Sequence, residues 1–377
     1  MHRYSPTGHG HMIADAPRTG AYARAIEASV RPGDAVLEIG AGTGLFAILA
    51  RRAGARRVYA IEADDIIEVA RANARANGMA GDIEFFHAFS TDVELPERVD
   101  VIVSDLRGVL PFFERHFPSI VDARTRFLAP GGRLVPRADR VMAACVAAPA
   151  LHANLSDPWT SRPYGADLSA GHALALNTWQ KAEAEPAQVI TEAVQCARID
   201  YTTVVQPDLR ARLRLRALRE GEAHGLLAWF DAELTESIGF SCGPAPGRST
   251  IYGQALFPFP RPLALEAGES VGVALDVRLV GDDYVWSWET ELRGERLRQS
   301  TFEGEPLSAA RLRMRAADFT PVATEDARID RLILDGMERG LVLGEIARTL
   351  HAGFPRRFAR WEDALARAGE VTMRYAR

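Results

Sequence analysis

Lysine is almost missing from this 377-residue chain: Lys181 stands alone, and every other cation of its class is arginine. We read that as a compositional bias of the source, without a binding role. Cysteine is scarce too. Cys145, Cys196 and Cys242 are odd in number, far apart and free of C-x-x-C spacing, which argues against a metal site and for a reduced, cytoplasmic setting. No apolar run approaches the roughly 18 residues of a membrane span, and Met1-His-Arg-Tyr is no secretory signal, so no membrane partner is expected. The net charge of −5 is spread over interspersed acids and bases, which speaks against a nucleic-acid partner. Internal repeats and low-complexity tracts are absent. What the chain has is bulk: 47% hydrophobic residues, over a length that suggests two or three domains.

Residues 35–62 carry the most information. Val36 to Ile39 reads as a buried parallel strand that breaks at Gly40, Gly42 and Gly44. A helical stretch, Leu45 to Ala53, leads to a second apolar strand, Arg57 to Ile61, that ends in Glu62. Glycines let the backbone turn tightly and let a ligand approach main-chain N–H groups. A carboxylate about 20 residues further on can accept hydrogen bonds from both ribose hydroxyls, so the ligand is expected to contain adenosine. The spacing is Gly-x-Gly-x-Gly, unlike a pyrophosphate binder, and Glu38 sits two residues before the first glycine. An acid there would repel a diphosphate but suits the ammonium and sulfonium groups of S-adenosylmethionine.

The flanking pattern gives an α/β architecture. A helical segment over 10–30 precedes βαβ alternation to about residue 136, with strands at Ala35–Ile39, Arg57–Ile61, Ile83–His87, Val99–Ser104 and Arg133–Pro136. This half reads as a Rossmann-like doubly wound sheet. Short alternating segments follow at Val141–Ala147, Arg210–Leu218, Gly225–Leu234, Ser249–Phe257, Ser270–Leu279 and Tyr284–Leu292, with turns such as Gly243-Pro-Ala-Pro-Gly247 between them. They predict an antiparallel β-barrel or sandwich. Residues 151–185 lack that alternation and would project from it. The end of the chain turns helical at Asp326–Arg339, Leu343–His351 and Trp361–Ala368, then strand-like at Val371–Tyr375. The expected domains are 1–136, 137–320 and a small terminal unit, 321–377.

The order of these parts resembles the protein arginine methyltransferases over roughly residues 9–292. The pieces that carry the likeness are Asp15-Ala-Pro-Arg18-Thr19 with Tyr22, the glycine loop with Glu62, and Val93-Glu-Leu-Pro96 leading to Val99-Asp-Val-Ile-Val-Ser-Asp105. Pro158-Trp159 with Tyr164-Gly165, and His224-Gly-Leu-Leu-Ala-Trp-Phe230, fit the barrel and its dimerisation arm at about 151–185. The resemblance implies S-adenosylmethionine as cofactor and a homodimer. It implies that Arg18 pairs with the cofactor carboxylate, and that the Ser90-Thr91-Asp92 segment holds the adenine, with the family's acid falling nearest Thr91. The terminal segment faintly resembles the small winged-helix domains that hold peptides in ribosomal-peptide maturation.

The family's acceptor clamp is a loop with two glutamates; here it runs from Ser104 to Glu114, with Asp105 as the first acid and Glu114 as the second. Two carboxylates can draw the charge of a guanidinium toward one nitrogen and free the other to attack. Aspartate is one methylene shorter, and Arg107 places a cation inside the loop. The family's Thr-His-Trp motif is replaced by Thr250-Ile251-Tyr252, so no His–Asp couple with Asp15 is expected. The leading expectation is an S-adenosylmethionine-dependent N-methyltransferase acting on a guanidino or amino nitrogen of a peptide, protein or specialised metabolite. Small-molecule O-methylation and cofactor binding without turnover stay open.

Overall fold

The computed structural model describes residues 4–246 and 250–376. It opens with two helices, α1 (Pro6–Ala14) and α2 (Ala16–Ser29). The sequence predicts one helix over 10–30, but Asp15 divides it. Its carboxylate accepts from the Arg18 N–H at 3.2 Å and caps α2. Helix α2 buries Ala21, Tyr22, Ala25 and Ile26 along one face, whereas α1 buries no residue.

The parallel sheet then forms in alternation: β1 (Ala35–Ile39), α3 (Leu45–Arg52), β2 (Arg57–Glu62), α4 (Ile67–Ala76), β3 (Ile83–His87), β4 (Val99–Ser104), α5 (His116–Arg126) and β5 (Leu128–Val135). Its order is β3-β2-β1-β4-β5, so the chain reverses direction across the sheet between β1 and β4. The crevice outside the carboxyl ends of those two strands is where such sheets bind ligands, and Gly40 and Asp105 both follow strands that end there. β5 starts earlier than the expected Arg133. Residues 129–132 loop out between the Val99–Leu128 and Val101–Arg133 pairs, so the Pro-Gly-Gly turn sits inside the strand.

The antiparallel region comprises β6 (Ala138–Val146), helices α6 (Pro149–Thr160) and α7 (His172–Leu176), and strands β7 (Gln180–Ala182), β8 (Val194–Asp200), β9 (Leu209–Arg216), β10 (Gly221–Glu233), β11 (Gly239–Ser241), β12 (Gln254–Leu265), β13 (Ser270–Val280), β14 (Asp283–Leu292) and β15 (Glu295–Ser300). One sheet runs β7-β12-β10-β6-β8 with β11 beside β10, and the other runs β15-β14-β13-β9. The expected strand Ser249–Phe257 begins only at Gln254, because Ile251 and Tyr252 form a turn. Ser249, and Gly247 of the expected turn before it, lie outside the described residues. Strands β8 and β15 were not foreseen, since Val-Gln-Cys-Ala-Arg and Glu-Arg-Leu-Arg-Gln alternate too weakly to read as strands. The 151–185 excursion is largely helical, yet it does find a strand partner: Gln180–Ala182 pairs with Gln254–Leu256.

The parallel sheet and the β region belong to one compact unit that ends at Pro306. Two apolar clusters run through both, one from Leu37 and Ile102 to Leu226, Phe257 and Trp286, the other from Val36 and Val103 to Leu227, Phe230 and Leu256. The second unit begins at Leu307, earlier than the expected 321, and adds α8 (Ala309–Met314) to α9 (Glu325–Glu338), α10 (Leu343–Gly353) and α11 (Trp361–Tyr375). The strand expected at Val371–Tyr375 is instead the last part of α11. Ala364, Ala368 and Val371 are buried at helical spacing against Ile333 and Leu350. Among its described residues this unit has no strand, and therefore no wing of a winged helix.

Candidate active site

Gly40, Gly42 and Gly44 all adopt positive φ, at 75°, 52° and 78°. The last lets α3 pack: a Cβ there would stand 2.9 Å from the Ala70 side chain. A Cβ on Gly42 would stand 3.3 Å from the His9 ring of α1, and one on Gly40 2.6 Å from Leu106. The loop's N–H groups do not point outward as the sequence suggested. Gly40 and Ala41 donate to the Ile61 carbonyl at 2.9 and 3.0 Å, and Gly44 donates to Ala41 at 2.7 Å. The loop therefore offers close approach of bare backbone, with no donors from the three glycines.

Glu62 fastens the loop. One oxygen accepts from the Gly42 N–H at 2.9 Å and the other from the Asp64 N–H at 3.0 Å. Each oxygen keeps a lone pair for a ribose hydroxyl. Glu38 is buried, and its Oε2 has no hydrogen-bond partner among the described residues. Burial holds its carboxyl well above the ordinary range, against the lowering effect of the Ala47 N–H. A buried acid with an open oxygen beside a glycine loop fits a cationic ligand, and the residues present suit S-adenosylmethionine. Thr91 and Asp92 lie exposed in the turn after β3, with the Thr91 hydroxyl 3.3 Å from Asp92. Glu62→Ala removes the acceptor of the Gly42 and Asp64 N–H groups, with the lone pairs it keeps open, and frees the loop. It is expected to weaken S-adenosylmethionine binding by about 1.5–3 kcal/mol, the range for hydrogen bonds to a charged group, as titration calorimetry would read.

On the other side of the crevice the acids are not free. Asp105 Oδ2 accepts from Arg18 Nε at 2.7 Å and from the Tyr252 hydroxyl at 2.5 Å, and lies 2.6 Å from Arg18 Nη2 in an ion pair. Its Oδ1 receives Arg107 Nε at 3.1 Å and Nη2 at 3.0 Å. Arg107 in turn donates to Asp139 at 2.8 Å and to the Tyr22 hydroxyl at 2.6 Å, while Tyr22 donates to the Ser104 carbonyl at 2.9 Å. Burial pushes the Asp105 carboxyl up, but Arg18, Arg107 and Tyr252 overcome it and hold it at about 2. Arg18 is thus engaged by Asp105. No histidine stands at 251 to pair with Asp15, yet the two positions do meet, because the Ile251 backbone N–H donates to Asp15 Oδ2 at 2.8 Å.

Glu114 is half-buried and takes φ 41°, a conformation seldom adopted outside glycine and frequent at functional sites. Burial and the carboxylates of Glu114 and Asp105 together raise the Tyr4 hydroxyl's pKa, so the start of the described chain lies within electrostatic reach of both acids.

Asp139, Tyr201 and His116 extend the network and were not anticipated. Tyr201 donates to Asp139 at 2.5 Å and meets His116 Nε2 at 2.9 Å, so the neutral imidazole carries its proton on Nε2. Asp139 is the second residue of β6, a strand whose residues are mostly buried, and it precedes Val141, where the sequence predicts that strand to begin. Burial, then Arg107, depress the His116 pKa to about 3. In the unfolded chain His116 binds a proton below about 6.5, while the folded site refuses it down to about 3. Stability should fall between those values by about 1.4 kcal/mol per pH unit on this group's account. Urea titrations of wild type and His116→Gln should show that part of the slope missing in the variant.

A parallel sheet with a glycine loop and two acids at its carboxyl edge, joined to an antiparallel β region, defines a class: methyltransferases built on a nucleoside-binding fold. The arginine methyltransferase oligomerization subdomain matches residues 140–289, and the ribosomal protein L11 methyltransferase family matches 16–151. A probable protein arginine N-methyltransferase 6 of Arabidopsis thaliana is 34% identical over 66% of this chain and 58% of its own length, so the chain spans little more than half of that relative. Protein arginine N-methyltransferase PRMT10 of Oryza sativa subsp. japonica is 30% identical over 70% of this chain and 78% of its own. Among solved structures, the Trypanosoma brucei PRMT1 enzyme–prozyme complex with AdoHcy superposes with a TM-score of 0.73 at 22% identity, over 78% of this chain and 96% of that one. The chain belongs to the protein arginine methyltransferase family of S-adenosylmethionine-dependent enzymes.

Proposed function

We propose that this chain methylates a side-chain nitrogen, guanidino or amino, of a peptide or protein, with Glu114 facing the acceptor. One observation carries the reading: the cofactor side and the acid loop share residues. Arg18 and Tyr22 of α2, the helix packed on α3, grip Asp105 and the Ser104 carbonyl at the base of the loop that bears Glu114. Bound S-adenosylmethionine supplies an electrophilic methyl group on a sulfonium. Arg18, held by Asp105, is suited to its carboxylate, Glu62 to its ribose and Glu38 to its cationic end. Thr91 and Asp92 stand as candidates for the adenine. Glu114 would hold an acceptor N–H, and positioning would supply much of the rate.

Mass spectrometry of arginine- and lysine-bearing peptides, incubated with the chain and S-adenosylmethionine, tests this: a gain of one methyl mass supports it. The engagement of both Asp105 oxygens favours a second reading, cofactor binding without turnover, which predicts calorimetric binding and no mass gain.

The proposed assembly is a homodimer through the α6–α7 arm. There Tyr164 is fully exposed at φ 54°, Trp159 is 36% exposed, and Leu168 is exposed beside them; such clustered apolar surface marks interaction sites. The oligomerization-subdomain match, which includes the arm, supports it. Sedimentation at tens of micromolar, above the range of specific interfaces, should give a dimer, and deletion of residues 161–171 a monomer.

A further inference from the structure

The Arg107 guanidinium occupies a complete cation cage. Its side chain is wholly buried between two carboxylates, Asp105 and Asp139. Four aromatic rings surround it within the reach of cation–π attraction: Phe230 at 4.9 Å, Phe240 at 5.6 Å, and Tyr22 and Tyr252 at 5.8 Å from ring centroid to guanidinium carbon. This is the chemistry that recognises a guanidino group: a bidentate acid, a second acid and stacked rings. The chain fills it with its own arginine.

Asp105 consequently accepts four hydrogen bonds, from Arg18, Arg107 and Tyr252, which take up the about four lone-pair sites of a carboxylate. The charges of Arg18 and Arg107 cancel those of Asp105 and Asp139, so Asp105 offers an arriving guanidinium no open carboxylate.

Resting on the nitrogen-transfer reading above, we propose that Arg107 is a specificity-determining residue: an internal guanidinium that takes the acceptor's place on Asp105 and turns the site from guanidino toward amino acceptors. A guanidinium keeps its protons at any ordinary pH and needs flanking carboxylates to localise a lone pair. An amine has a nitrogen lone pair once its single surplus proton is lost. That nitrogen forms the N–C bond as the sulfonium S–C bond breaks, sulfur keeps the bonding pair, and the proton left on nitrogen passes to Glu114 or water. A flanking pair of carboxylates is not needed.

The test compares two peptides identical except for arginine or lysine at one position, with wild type and with Arg107→Met/Asp139→Asn, which removes the internal guanidinium without stranding a buried charge. Wild type should favour the lysine peptide by about tenfold or more in kcat/KM, and the double variant should shift that ratio about tenfold or more toward arginine, as expected when a repulsive element is removed. Wild-type preference for arginine, or an unmoved ratio, overturns the proposal. A readout free of turnover is the melting temperature of Arg107→Ala, expected to rise with millimolar ethylguanidinium and not with ethylammonium. Should that variant fail to fold alone, its refolding in ethylguanidinium but not in ethylammonium replaces that readout. Absence of guanidinium selectivity overturns the cage. Selectivity without transfer to either peptide supports the cage and overturns the nitrogen-transfer reading instead.

Discussion

Arg107→Met, made alone, is expected to lower the stability of the chain by about 3–5 kcal/mol, the cost of breaking a buried ion pair by removing one partner. Asp105 would still have Arg18 and Tyr252. Asp139 would not be so placed: it is wholly buried, and after Arg107 only the Tyr201 hydroxyl remains to it among the described residues. Burial already holds the Asp139 carboxyl above its ordinary range despite Arg107 and Tyr201, so its charge depends on that guanidinium. Adding Asp139→Asn should restore most of the loss, because removing both partners of a buried pair is close to neutral. Urea unfolding of the single and double variants reads this directly. A single variant within about 1 kcal/mol of wild type, the span of exposed ion pairs, would contradict the network.

Glu114→Gln is expected to lower kcat by about 10²-fold or more, with cofactor affinity little changed. The substitution keeps shape and hydrogen-bonding capacity and removes only the charge, an electrostatic contribution of the size found for groups aimed at developing charge. Asp105→Asn should behave differently. Its carboxylate anchors Arg18 and Arg107, so the loss should appear in stability and cofactor affinity together. Equal, near-wild-type turnover in both variants would mean that this loop does not hold the acceptor.

Much of this was legible in the sequence because its signals are local. Three glycines between an apolar strand and a helix, with Glu38 and Glu62 at fixed offsets, mark a cofactor crevice without reference to anything distant. The five parallel strands follow from continuous apolar runs that only a doubly covered sheet buries. Arg107 reads as a cation within the loop, but where it lands was not legible. Its second partner, Asp139, lies 32 positions away, and Tyr252, which shares Asp105 with Arg18, lies 147 positions from that acid. Pairings of that span are set by tertiary packing. The backbone bond from Ile251 to Asp15 was missed for a related reason: side-chain identity says nothing of what a main-chain N–H can reach. The end of α11 was misread because Val371 and Tyr375 favour strands locally, while burial at helical spacing decided the outcome.

The central claim, that the glycine crevice and the Glu114 loop form one methyl-transfer centre, is tested most directly by a single comparison. Wild type and Glu114→Gln, each shown by calorimetry to bind S-adenosylmethionine equally, are incubated with the same peptides and the methyl mass gained is measured over time. The account predicts a gain with wild type that falls by about 10²-fold in the variant. Equal gains in both proteins, or cofactor bound with no gain in either, would contradict it.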